Sequence, residues 1–113
     1  MTSTSDDPKP ADIQKKIASG NFADASQDID RLLAIKPDHA EALYMAAVCY
    51  RYLQKYDKAQ TCLNSLMSMS HDRGRVYQEQ GHLHVALNCQ QKALAAFANA
   101  CQLNPVLLAS WQN

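Results

Sequence analysis

The sequence has no surplus of charge, only three glycines and one tryptophan, and no long apolar run, and each shortage removes a class of function. Eleven basic and eleven acidic side chains cancel, and no strong basic block stands out. No net field therefore draws a polyphosphate backbone or an anionic lipid surface, and neither nucleic acid nor a membrane is expected as a partner. The best apolar run, Leu43 to Tyr50, is far short of the roughly 20 residues that span a bilayer. The start, "MTSTSDDPKP", lacks the charged and apolar regions of a secretory signal, which gives a cytoplasmic expectation. Gly20, Gly74 and Gly81 do not make a phosphate-cradling loop. The intervals between Cys49, Cys62, Cys89 and Cys101 match neither zinc nor thioredoxin-like spacing, so free and mostly buried thiols are expected.

What is present is helical periodicity. Residues 1–10 are polar with two prolines and read as a disordered leader. Beyond them apolar positions recur at three and four: Ile29, Leu32, Leu33; Leu43, Ala46, Ala47, Tyr50; Leu94, Phe97, Ala98, Cys101. The pattern predicts an all-α chain with helices at about 11–19, 22–35, 38–53, 56–69, 72–87 and 90–103. Asp38 and Asp72 are the expected N-caps of the third and fifth helices, and Asn88 suits the left-handed turn after the fifth.

A longer period lies above the helical one. Ala25, Ala59 and Ala93 follow each other at one constant interval, each with a large apolar residue four places on: Ile29, Leu63 and Phe97. Pro37 and Pro105 lie twice that interval apart, with His71 midway. A 34-residue spacing carrying W-x2-L-G-x2-Y, then A-x3-F, then P is the tetratricopeptide signature, and the chain resembles that family from about Ala11 onward. The resemblance implies a right-handed α-solenoid of antiparallel helix pairs, with repeats at about 11–39, 40–73 and 74–107.

The third repeat shows the signature most fully, with Tyr77 at the Trp position, Gly81 at the Gly and His84 at the Tyr, followed by Ala93, Phe97, Ala100 and Pro105. In the second, Gln54 stands where a turn glycine is usual and His71 replaces the terminal Pro. The first has an eroded opening helix, because Lys9 and Asp12 occupy positions that should be large and apolar. A short capping helix is expected there, since the outer face of a terminal repeat meets water.

No catalytic set emerges. His82 and His84 are two apart and diverge on a helix, whereas a shared metal needs i and i+4. Asp28 and Asp30 diverge in the same way, and a metal or redox centre would require cysteines to converge with His82 against the helical register. No enzyme activity, metal or cofactor is expected of this chain; the cysteines and histidines read as packing residues.

The remaining functional surface is the concave one. In the family that this chain resembles, the first helix of each repeat lines a groove for a protein or peptide partner. Carried over by position, the groove would include Glu41, Tyr44, Met45, Val48, Arg51 and Tyr52 from the second repeat. The third would contribute Arg75, Gln78, Glu79, His82, Val85 and Ala86. Joint replacement of Tyr44 and Arg51 is expected to abolish binding without unfolding the chain. Members that clamp a C-terminal carboxylate use a basic and amide set that here reads Pro10, Gln14, Met45, Arg75 and Glu79. Only Arg75 keeps a positive charge, so that mode is rejected.

Residues 41–66 and 77–112 also resemble the N-terminal repeats of bacterial proteins in which such repeats precede a sulfotransferase domain. That would make this chain the non-catalytic leading part of a larger protein. The ending, "NPVLLASWQN", fits the same expectation. Leu108 is the first position of a fourth repeat and Trp111 stands at its Trp position. Residues 108–113 thus read as the start of a truncated helix, with self-association through that uncovered end.

Overall fold

The computed structural model describes residues 8–69 and 73–103. Within them lie six helices and no strand: α1 Pro10–Ala18, α2 Phe22–Ile35, α3 Ala40–Tyr52, α4 Tyr56–Ser68, α5 Arg73–Ala86 and α6 Gln90–Leu103. The expected helices are all present, with ends shifted by at most two positions among those described. Expectations placed on His71, Asp72 and residues 104–113, Trp111 included, lie outside the described residues, as does most of the leader.

Consecutive helices pair, and the odd helices also meet, α1 on α3 and α3 on α5. The even helices make no such contacts with each other among the described residues. One layer is therefore drawn together and the other splayed apart, which curves the array and puts α1, α3 and α5 on its inner face. The extents, 51 × 25 × 24 Å, are those of an elongated stack of hairpins. The architecture is an all-α helical-repeat solenoid.

The turn inside each hairpin is one motif made three times. After α1, Gly20 N–H donates to Ile17 C=O and Asn21 N–H to Lys16 C=O. After α3, Gln54 donates to Arg51 and Lys55 to Tyr50; after α5, Asn88 donates to Val85 and Cys89 to His84. These paired bonds are Schellman caps, which need one left-handed residue. Gly20, Gln54 and Asn88 supply it with φ of 84°, 64° and 61°. Glycine bears this conformation freely and asparagine tolerates it, but glutamine is held there at a cost of about 1 kcal/mol. Gln54→Gly is accordingly expected to raise stability by about 0.5–1 kcal/mol, seen as a higher urea midpoint at unchanged m-value.

The cap of α3 differs from expectation. Pro37 and Asp38 form a turn, and it is His39 that precedes the helix, its Nδ1 accepting from Ala42 N–H at 3.2 Å. Asp38 sits one position too early to reach the first-turn amides, so the imidazole caps in its place.

The repeat positions form the core. Ala25, Ala59 and Ala93 are buried, as are Ile29, Leu63 and Phe97. On the first helix of each pair, Ile13, Ala47 and Gly81 share one repeat position. A Cβ placed on Gly81 would lie 2.5 Å from Phe97 Cε1, so the bulkiest member of one trio faces the smallest of the other, and close packing leaves no room for a methyl group. Ile13, at the other end of the series, is fully buried and anchors α1. The apparent erosion of the first helix thus spares its one central contact.

Candidate functional site

The inner face holds a pocket of about 220 Å³ lined by Gln14 and Ile17 of α1, by Glu41, Tyr44, Met45 and Val48 of α3, and by Arg75 of α5. Five of the residues expected in the groove therefore converge. Met45 is 3 % exposed and contributes floor. Tyr44 and Val48 are half-buried, while Glu41 and Arg75 stand exposed at the rim. The Arg75 guanidinium lies 4.3 Å from the centre of the Tyr44 ring, a cation–π contact that holds the ring flat under the charge. Burial, then the negative charge of Glu79, raises the Tyr44 phenol above its ordinary value against the opposing pull of Arg75. It stays a neutral hydroxyl. Glu41 Oε2 accepts from Gln14 Nε2 at 2.9 Å, linking α3 to α1 across the rim.

Three other expected groove residues, Arg51, Tyr52 and Glu79, form an assembly with Phe22. Phe22 of α2 and Tyr52 stack with centroids 4.3 Å apart and planes 4° from parallel. The Arg51 guanidinium lies 4.5 Å from the Tyr52 ring centre, and its Nε donates to Glu79 Oε2. A second bond runs from Arg51 Nη2 to Glu79 Oε1 at 3.4 Å. The side chains of Arg51 and Glu79 are only 17 % and 4 % exposed. Burial opposes the Arg51 charge, but the hydrogen bond and attraction of Glu79 outweigh it and raise the guanidinium above its ordinary value. Arg51 and Glu79 thus serve the α3–α5 junction, and replacing Arg51 is expected to cost stability, because its removal strands a buried carboxylate. Gln78 is half-buried on α5. His82 lies at the surface and meets the Phe97 ring edge-on at 5.2 Å.

Two lining residues, Gln14 and Ile17, were missing from the expected groove because α1 reads as an eroded cap. The signal was nonetheless in the register: Gln14 stands one repeat before Val48, and Ile17 one repeat before Arg51.

Burial pushes the Cys49 and Cys62 thiols up to about 11, with Asp30 adding to the effect at Cys62. Both are protonated near neutrality and poor nucleophiles. Tyr50 is pushed up to about 12 by burial and by donating to Asp30 Oδ1 at 3.0 Å. Among the described residues no group of three or more His, Cys, Asp or Glu side chains is placed to hold a metal ion, and no helix is long and apolar enough to cross a membrane.

The repeat register, the recurring caps and the two-layer stack of hairpins agree with the family comparison, in which the tetratricopeptide repeat matches residues 16–83. The chain belongs to the tetratricopeptide repeat family. Tetratricopeptide domains generally mediate protein–protein interaction and are typically non-catalytic. No curated protein matches the chain, so the narrower likeness to sulfotransferase-linked tetratricopeptide repeats rests on the quoted residues alone.

The histidines of α5 give the domain a pH response. Partial burial lowers His82 despite the nearby Glu79, and burial with the charge of Lys92 lowers His84, whose Nδ1 is buried without a hydrogen-bond partner. A depressed folded value means that the unfolded chain takes up these protons first as pH falls. Their contribution to stability is therefore full above the unfolded value of about 6.5 and declines as pH falls through it toward the folded values. The urea midpoint is expected to be lower at about pH 5.5 than at about pH 7.5, with His84→Gln shrinking the difference.

Proposed function

We propose that this chain binds an extended peptide segment of a partner protein in the groove formed by α1, α3 and α5. The observation that supports the reading is the pocket of about 220 Å³ on the inner face, with Ile17, Met45 and Val48 as apolar lining and Gln14, Glu41 and Arg75 as polar groups. A cavity of about 150 Å³ lined by apolar side chains is enough to hold benzene. This one has room for an aliphatic or thioether side chain of a ligand. Tyr52, Gln78 and His82 extend the candidate surface, and Arg51 and Glu79 support it from beneath.

Peptides selected from a random displayed library are expected to bind with affinity on the order of micromolar, as transient interfaces of this size do. Val48→Arg, which drives a charged chain into the pocket, should weaken them at least about tenfold, a loss of about 1.4 kcal/mol, with the helical circular dichroism and urea midpoint retained. Equal binding to the variant would place the peptide elsewhere.

A second reading, carried by the resemblance of residues 41–66 and 77–112, makes these repeats the leading part of a chain with a sulfotransferase domain. Sulfate transfer from phosphoadenosine phosphosulfate by the product of the complete open reading frame tests it. Self-association at the C-terminal end is supported among the described residues by the exposed Leu94 and Leu103, at 57 % and 56 %. Sedimentation over a concentration series is the measurement that decides it.

A further inference from the structure

The rim of the inner-face pocket carries opposite charges on neighbouring helices. Glu41 of α3 and Arg75 of α5 occupy the same position of successive repeats, and both line the cavity with Ile17, Met45 and Val48. Both are exposed. Glu41 accepts from Gln14 and Arg75 lies over the Tyr44 ring, and both side chains still present surface to a ligand at the rim.

We propose, resting on the groove reading above, that this pocket selects an extended peptide with an apolar anchor side chain flanked by an acidic residue toward Arg75 and a basic residue toward Glu41. Packed helices lie about 8–10 Å apart, and alternate residues of an extended chain advance about 6.6 Å on one face. An acidic–x–apolar–x–basic sequence therefore sets its three recognition side chains on one face, and the long Glu and Arg side chains span the small mismatch in length. The charges fix which way the ligand runs along the solenoid, and the anchor supplies the apolar burial.

The probes are end-blocked peptides with a central leucine: one uncharged, one with glutamate alone, one with lysine alone, and two with both charges in the two orders. Anisotropy binding is measured at about 50 mM salt, where screening is modest. Each charge is expected to tighten binding by about two- to fivefold over the uncharged peptide, the scale of an exposed ion pair. Arg75→Gln should cancel the gain from glutamate only, and Glu41→Gln the gain from lysine only. These are mild surface changes, and unchanged urea midpoints confirm that the fold is kept. Replacing the central leucine by alanine should weaken every peptide. If the charged peptides bind no better than the uncharged one, or library-selected peptides bind the groove and none of the leucine peptides does, the charge-and-anchor proposal is overturned and the groove reading stands. If selected peptides also ignore Val48→Arg, the groove reading itself falls.

Discussion

Arg51→Ala is expected to lower the unfolding free energy by about 3–5 kcal/mol, the cost of leaving one member of a buried pair without its counter-charge. The whole stability of a domain this size is about 5–15 kcal/mol, so the loss is a large share of the total. The cause is the Glu79 carboxylate, whose side chain is 4 % exposed and whose two oxygens both accept from Arg51. A double variant distinguishes this from simple loss of arginine packing. Replacing both partners, Arg51→Met with Glu79→Leu, should restore most of the loss, because an apolar pair removes the stranded charge. A deficit that persists in the double variant would assign the effect to packing.

Ile13→Ala is expected to cost about 2–5 kcal/mol if the domain unfolds as one unit. Helix α1 is short, at 9 residues, and Ile13 is its one fully buried side chain. A helix of that length is not stable alone. The rest of its attachment is the Lys16–Asp28 ion pair at 2.6 Å, the Gln14–Glu41 bond and the half-buried Ile17. The loss is bounded by the free energy with which α1 docks, because beyond that the helix detaches locally and α2 to α6 remain. Amide exchange decides between the two: loss of protection confined to residues 10–18 means local release, and a uniform loss means global destabilisation. Either result removes Gln14 and Ile17 from the pocket and should weaken groove-bound peptides together with the protection of α1.

Much of the fold was legible along the chain. The constant spacing of Ala25, Ala59 and Ala93 identified the repeats, and the expected ends of α2 and the expected start of α6 are the observed ones. Asn88 was expected in the left-handed turn and adopts φ 61°. Gln54 was noted as a departure at a glycine position and is held at φ 64° all the same. Such features are local: each residue's burial or backbone angle follows from its place in the repeat, and the repeat states that place three times.

The candidate site was legible only as a set of positions. By sequence alone, Arg51, Tyr52, Arg75 and Glu79 share one surface, and nothing in the spacing says which of them meet each other. The tertiary structure decided that Arg51 turns to Glu79 on the next odd helix, and that Arg75 lies over Tyr44. It also decided that α1, with Ile13 filling the position held later by Ala47 and Gly81, is close enough to wall the pocket. His39 took the cap expected of Asp38 for the same kind of reason, since a turn longer or shorter by one position moves a side chain out of reach of the amides. Periodicity is written in spacing along the chain, so the sequence by itself determined the repeat and most of its core, although Leu94 and Ala98, expected on the apolar face of α6, are exposed. Pairing depends on side-chain rotamers and on the angle between neighbouring hairpins, which arise only when the stack is assembled.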